Sequence, residues 1–279
     1  MRLHRLRNAS DFADYQRREV DALSRHWAAI KSYVPESRGQ FTIPGYSYPA
    51  GRNVSFLVDF EHAGDGDIVW RERVSCPATG FNNRMRGALH IFDLEMEAHP
   101  DSEIYISEQG SLFYQYLSAQ YPNVTGSEYL GEQIPFGATN PVGIRNESLC
   151  RLTFPDESFE ICVSLDVFEH IPDYRAAFRE CCRVLETGGR FFWSVPFVPT
   201  APNNIVCAEM VDGQVKHVLP PQYHVDPWSP EGVLCFTVFG WGMLEQVCAA
   251  GFRDAYAVAY HSVEFGYLGG VQFMFVARK

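Results

Sequence analysis

Between residues 101 and 200, short apolar runs alternate with longer segments whose apolar positions recur every three or four residues, the rhythm of strand–helix crossover units and a parallel sheet. Ile104-Tyr105-Ile106 is the first predicted strand, Leu112 to Ala119 a helix, and Val124-Thr125-Gly126 a second strand ending at Glu128. Phe159 to Leu165 has the near-continuous apolar character of a fully buried strand. Tyr174 to Leu185 reads as a helix closed by Gly188-Gly189, and Arg190 to Val195 as the strand that follows. Upstream the rhythm differs. Asn8-Ala9-Ser10-Asp11 is a capping-type start, and Phe12, Tyr15, Val20, Leu23, Trp27, Ile30 and Val34 follow at helical spacing, which predicts one long amphipathic helix over 9–34. A turn-rich stretch from Ile43 to Gly51 precedes strands at 54–60 and around 68–74, and a helix ends near Glu97. Beyond Pro199 the pattern predicts a Pro- and His-rich loop, a helix over 237–250, and an antiparallel hairpin from strands near 252–260 and 271–277. The chain therefore divides into an N-terminal α+β cap, 1–100, and an α/β domain, 101–279, with a long loop around 200–235.

The 279 residues, 46% of them hydrophobic, supply enough apolar surface for a core domain with an appendage. A net charge of −11 repels a phosphate backbone, and no Lys/Arg-rich run overrides it, so nucleic acid is not an expected partner. Apolar stretches fall short of the length a bilayer demands, and the basic start lacks the apolar segment of a signal peptide, so no membrane association is expected and a cytoplasmic location is. In that compartment the cysteines at 162, 181, 182, 235 and 248, set in apolar segments, read as reduced core thiols. The adjacent pair Cys181-Cys182 points two ways from one helix and is not expected to serve redox chemistry.

Three blocks then stand in a fixed order: Leu152-Thr153-Phe154-Pro155-Asp156-Glu157-Ser158-Phe159-Glu160, Asp166-Val167-Phe168-Glu169-His170-Ile171-Pro172-Asp173, and Arg183-Val184-Leu185-Glu186-Thr187-Gly188-Gly189-Arg190. Together they resemble the second half of the core of class I S-adenosylmethionine-dependent methyltransferases. That resemblance implies a Rossmann-like sheet with helices on both faces, a C-terminal antiparallel hairpin, S-adenosylmethionine as cofactor and a small-molecule acceptor as partner, as in an enzyme of small-molecule biosynthesis. It places the cofactor at the carboxyl edge of the sheet, where open α/β sheets bind ligands. Glu128 then stands where an acid accepts hydrogen bonds from the two ribose hydroxyls, with Tyr129 beside it, the adenine near Leu149 and Phe154, and Asp166 at the end of a core strand. Glu108, Gly110 and Ser111 fall in the first loop, and Ser148 where relatives often place an Asp that bonds the adenine amine. That loop departs from the family's acid and three glycines, offering Tyr105, Ser107, Gln109 and Ser111 with only Gly110 nearby. Tyr46 to Gly51 and Cys76 to Gly80, with Asn83 to Arg86, resemble two knuckles of a zinc ribbon found in some related methyltransferases. The four ligand positions read Ser47, Ala50, Cys76 and Thr79, and one thiolate does not hold a structural zinc, so a metal-free remnant held by packing is expected.

Candidate bases for deprotonating an acceptor are His170, beside Glu169, and His217 and His224 in the stretch Lys216 to Pro227. Each has an ordinary reading as a structural hydrogen-bonding residue. A metal site from His217, His224 and Asp226 fits no established ligand spacing, so no metal is expected. The tail aromatics Trp228, Phe236, Phe239, Trp241, Tyr260 and Tyr267 read chiefly as core. The alternative to methyl transfer is a methyltransferase-fold protein that has lost the reaction and serves as a binding or scaffold protein, or uses another ligand; the glycine-poor loop and Ser148 motivate it.

Overall fold

The computed structural model describes residues 3–64, 66–226 and 229–279, with the side chains of all but 225, 226, 229 and 230 among these. The chain forms two units: one from the residues up to Leu6 with Ser10–Glu97 and Ala257–Met274, the other from Arg7–Ala9, Ala98–Tyr256 and Phe275–Lys279. Trp228 and the side chain of Asp226, both named above, lie outside the described residues.

The first unit begins with β1 (His4–Leu6), α1 (Ala9–Arg18) and α2 (Val20–Lys31). The single helix expected over 9–34 is thus two, separated at Glu19 (φ −102°, ψ 12°). Glu19 N still donates to Tyr15 O and Leu23 N to Glu19 O, so the ladder resumes in phase and the sequence periodicity carries no trace of the bend. β2 (Phe41–Ser47), β3 (Arg52–Val58) and β4 (Val74–Ser75) form an antiparallel ribbon, and α3 (Asn83–Glu95) follows. The strand expected around 68–74 shrinks to the two residues of β4. Ile30, Ile43, Phe56, Val58, Ile68, Val74, Cys76 and Leu268 form the core of this unit. At the zinc-ribbon-like knuckles, Cys76 Sγ donates to Ser47 Oγ (3.2 Å), and Thr79 and Gly80 donate their amides to the Cys76 carbonyl.

Arg86 on α3 fastens that core. Its side chain is fully buried, with Nη1 donating to the carbonyls of Val74 (2.6 Å) and Phe81 (3.1 Å), Nη2 donating to that of Gly266 (2.8 Å), and the guanidinium 4.1 Å from the Phe56 ring centroid. Burial pulls its pKa down to about 10. Nearby histidines are also buried. His26 Nε2 donates to the Gly269 carbonyl (3.0 Å), and His90 stacks on Tyr48 with ring centroids 3.9 Å apart.

The second unit contains β5 (Ile104–Ile106), α4 (Leu112–Gln120), β6 (Val124–Gly126), β7 (Phe159–Leu165), a 3-10 turn (Phe168–His170), α5 (Tyr174–Val184) and β8 (Leu185–Ser194). β5 pairs in parallel with both β6 and β7, and β7 with β8. α5 starts on Asp173, whose Oδ1 accepts from Ala176 N, and buries Ala177, Phe178, Cys181, Cys182 and Val184. Phe191, Trp193 and Phe275 stack in the core, each burying side-chain area worth about 1.5–3 kcal/mol. The helix expected to close at Gly188-Gly189 ends at Val184 instead. The two glycines sit inside β8, where the pairing slips between Phe159↔Leu185 and Ile161↔Arg190. Gly188 has φ +87°, and a Cβ on Gly189 would meet the carbonyls of Glu186 and Glu160, so the pair absorbs a bulge.

The stretch 200–235, expected as a loop, is largely β structure: β9 (Ile205–Val206), β10 (Ala208–Val211), β11 (Gln214–His217), β12 (Tyr223–Asp226) and β13 (Ser229–Leu234) precede β14 (Thr237–Val238), which pairs with β9. β10–β11 and β12–β13 are hairpins. The first turns on Asp212-Gly213, both at positive φ (49° and 76°), the conformation an Asp-Gly hairpin turn requires. The following helix, α6 (Gly242–Ala249), starts later than expected because Thr237-Val238 pair as a strand. β15 (Asp254–Ser262) and β16 (Tyr267–Arg278) complete a seven-stranded sheet of order β1-β15-β16-β8-β7-β5-β6, the expected mixed α/β architecture with antiparallel C-terminal strands. No helix among the described residues is long and apolar enough to cross a membrane.

Two predictions follow from the first unit. Arg86→Met removes three hydrogen bonds to backbone carbonyls, of which that of Phe81 keeps the Cys76 amide, and is expected to cost about 3 kcal/mol in urea unfolding. Burial holds both His26 and His90 near a pKa of about 4, against about 6.5 in the unfolded chain. Between those values the unfolded chain takes up protons that the folded chain refuses. Stability is therefore full above pH ~6.5 and falls as pH drops toward ~4, by up to about 3 kcal/mol per histidine. Urea midpoints measured across this window are expected to decline with acid, and the double variant His26→Gln/His90→Gln is expected to flatten the slope.

Candidate functional site

The parallel strands of the second unit end on one side of the sheet, β5 level with β6, and β7 level with β8 two residues further on. Ile106 lies opposite Gly126 and Val163, and Leu165 opposite Ser194, so the residues after β5, β6, β7 and β8 emerge along one carboxyl edge. Ser107, Glu128 and Asp166 all lie there. Ser107 Oγ donates to Ser164 Oγ (2.8 Å), and the buried Tyr105 hydroxyl shares a hydrogen bond with Ser127 Oγ (2.8 Å).

Glu128 faces the first loop. Its Oε1 accepts from the amides of Gln109 (2.8 Å) and Gly110 (2.9 Å), so one carboxylate oxygen ties the loop to the end of β6. The side chain stays half-buried. The Gln109 side chain reaches from the loop across Gly126, where an added Cβ would lie 3.0 Å from its Cγ; its Nε2 donates to Gly143 O and its Oε1 accepts from Arg145 N. Ser111 caps α4, its Oγ accepting from Tyr114 N. Glu108 is half-buried, Gly110 and Tyr129 are exposed, and Leu149 is buried.

A polar network orders the chain between β6 and β7. Glu128 and Asn146 form an isolated parallel bridge. Asn146, fully buried, donates to the carbonyls of Gly131 and Ile134 and accepts from Leu130 N. Arg145 bonds Glu147 and Thr153 and lies 4.4 Å over the Phe154 ring centroid. Ser148 bridges to Arg151 in this segment. A cleft of about 610 Å³ opens alongside, lined by Glu132, Ile134, Pro135, Phe136, Arg151, Leu152 and Thr153. None of the expected cofactor residues lines it.

Asp166 ends β7 in the left-handed region (φ 54°), a conformation Asp tolerates better than most residues. Its amide donates to Ser194 O, and its Oδ1 accepts from Ser194 Oγ (2.7 Å). This turn starts the 3-10 segment that carries Glu169 and His170. The β12–β13 hairpin brings His224 to the same place, and Phe236 N fixes the hairpin's exit by donating to Glu169 O (2.7 Å). His224 Nδ1 lies 3.2 Å from His170 Nε2, and the Glu169 carboxylate, wholly buried, lies 3.7 Å from His170 Nε2 and 3.6 Å from His224 Nδ1. Burial holds the Glu169 carboxyl above its ordinary range, opposed by His224 and His170. Two of the three expected bases therefore come together. The third, His217, is exposed at the end of the other hairpin. Two residues outside the expected site set take part: Glu169, signalled only by its place beside His170, and Gln109, which no motif marks.

Comparison with known proteins follows the same segment. The family description "Methyltransferase domain" matches residues 109–193. A Mycolicibacterium smegmatis protein named as a probable S-adenosylmethionine-dependent methyltransferase is 42% identical over 55 residues, which are 20% of this chain and 21% of that one. The match thus spans about a fifth of that relative's length. Among solved structures, an S-adenosylmethionine-dependent methyltransferase from Mesorhizobium loti aligns at 17% identity over 70% of this chain and 100% of its own, with a TM-score of 0.41. The YcgJ protein from Bacillus subtilis aligns at 12% over 69% and 98%, with a TM-score of 0.40. Residues 109–193 are thus similar to the methyltransferase domain family, and the likeness to individual S-adenosylmethionine-dependent methyltransferases is distant.

Proposed function

We propose that this protein transfers a methyl group from S-adenosylmethionine to a small-molecule acceptor at the carboxyl edge of its sheet. The observation that carries this reading is the Glu128 carboxylate. It lies at the end of β6, inside the family-matched segment, and the two loop amides on Oε1 fix its orientation, with Oε2 left to accept from ribose hydroxyls. Gly110, Tyr129, Leu149 and Ser148 stand along the same edge as further contacts to the nucleoside, and Glu108, Ser111 and Asp166 shape the strand ends around it. The cofactor supplies an electrophilic methyl group. The protein's part is to align an acceptor with it and exclude water, since an in-line displacement depends chiefly on alignment. For an acceptor that must lose a proton, His224 is the best-placed base: it is half-exposed, and the buried Glu169 behind it stabilises an imidazolium. His170 backs it, and His217 is the more remote candidate.

Glu128→Ala is expected to weaken S-adenosylmethionine binding at least tenfold by isothermal titration, because charge-assisted hydrogen bonds contribute about 1.5–3 kcal/mol each. Glu128→Gln, whose amide oxygen still accepts from the loop, is expected to fall in between. Absence of cofactor binding at millimolar concentration in a folded sample would overturn the reading.

One observation favours the second reading, a binding protein without methyl transfer. The Gln109 side chain spans the space above Gly126 and is held at both ends. Gln109→Ala separates the two. If Gln109 supports the cofactor site, the variant binds S-adenosylmethionine several-fold more weakly than the wild type. If Gln109 blocks the site, the variant binds and the wild type does not. Mass spectrometry of small molecules released on denaturing the purified protein adds an independent check.

A further inference from the structure

We infer that Glu169, His170 and His224 form a binding site for one divalent transition-metal ion, of the zinc type, with an open coordination position. The three facing atoms, Glu169 Oε1, His170 Nε2 and His224 Nδ1, are separated by 3.2, 3.6 and 3.7 Å. The point equidistant from atoms so spaced lies about 2.0 Å from each, the length of Zn²⁺ bonds to imidazole nitrogen and carboxylate oxygen (about 2.0–2.2 Å). Hydrogen bonding alone does not account for this triangle, because the two carboxylate separations exceed hydrogen-bond length.

Two further observations support an ion at the centre. His170 Nδ1 donates to the Leu234 carbonyl (2.9 Å), which fixes the neutral tautomer and turns the Nε2 lone pair inward, as metal-ligating histidines are oriented. Neither oxygen of the buried Glu169 side chain has a partner within hydrogen-bond distance among the described residues. Buried carboxylates are paired or coordinate a metal, and an ion at the centre of the triangle would satisfy this one.

The ligand set selects the metal. Two imidazoles and one carboxylate suit zinc and neighbouring first-row ions, not the all-oxygen shells of Mg²⁺ or Ca²⁺. Three protein ligands leave a fourth position, the arrangement of catalytic rather than structural zinc, and the partly exposed His224 side chain gives the site contact with solvent. The site stands independently of methyl transfer. Its use rests on that reading: the open position fits an acceptor that presents an oxygen or nitrogen donor, and with an ion bound the two histidines act as ligands, not bases.

The test uses the full chain, stripped with a chelator and exchanged into metal-free buffer. Titration with ZnCl₂ is expected to show one ion per chain. Titration with CoCl₂ is expected to give the visible absorption of a low-coordinate site without the near-ultraviolet sulfur-to-metal band. His224→Ala is expected to lower Zn²⁺ affinity at least about a hundredfold, since even partners behind the ligands contribute 10–100-fold. Glu169→Gln, which keeps the volume and removes the charge, is expected to do the same, and His99→Ala, on an exposed surface residue, is expected to change nothing. Three results would overturn the proposal: no saturable binding to a folded sample, unchanged affinity in both site variants, or a thiolate band assigning the ion to cysteines. S-adenosylmethionine binding measured on the same His224→Ala sample reports on the methyl-transfer reading separately, because no cofactor contact is removed.

Discussion

Parallel pairing that brings the carboxyl ends of β5, β6, β7 and β8 to one edge is the constraint on which the rest of the site depends. Pairing in register fixes which residue is last inside each strand, and so which side chain is first outside it. A slip of one residue in β7 would turn Ile161 and Val163 to the other face of the sheet and carry Asp166 with them. The same holds for β8, where Phe191 and Trp193 are stacked against each other in the core and cannot trade places with the flanking Arg190 and Ser194.

Downstream of the register, each functional side chain is held by a local device. Asp166 turns the chain through a left-handed residue and is secured by Ser194, which is itself the last residue of β8. The turn delivers Glu169 and His170, and the backbone bond from Phe236 to Glu169 fixes the exit of the hairpin that carries His224. Glu128 is held on the other side of the same edge by loop amides and by the Asn146 bridge. The polar residues Arg145, Asn146 and Glu147 support that flank. With Asn146 and Glu147 buried, Arg145 half-buried and all three hydrogen-bonded, they specify one conformation for a segment with little regular structure.

The α/β alternation was legible in the sequence because it is carried by apolar periodicity, and β5, β6 and β7 fall where that periodicity puts them. The three sequence blocks that carried the family resemblance were legible for a reason that is partly architectural. Arg183 in the third block donates to the carbonyls of Leu152 and Phe154 and to the carboxylate of Asp156 in the first, so the blocks are the two halves of one clamp. The bend at Glu19 left no mark because the helical phase survives it. The hairpins of 200–234 are not legible in the pattern although Asp212-Gly213 is a hairpin turn signal, because the flanking strands are only four residues long and almost wholly exposed, so no buried face marks them. For the site, His170 and His224 were separately visible as histidines, but their meeting across 54 residues depends on how the hairpin docks, which pattern alone does not encode.

The glycine-poor loop finds its explanation in Glu128. Glycines are needed where backbone must pass close to a ligand without a Cβ between them. In this loop the amides of Gln109 and Gly110 are directed at a carboxylate of the protein itself, and an amide donates equally well whatever side chain its residue bears. Position 109 is thereby released to carry a glutamine, whose side chain does a second task by bonding Gly143 and Arg145. The carboxylate in turn is oriented before any ligand arrives, so less conformational freedom remains to be lost on binding. The same carboxylate that the family resemblance assigns to the ribose is therefore also the fastening of the loop, and the departure from the glycine pattern accompanies a transfer of that loop's order from backbone conformation to hydrogen bonding.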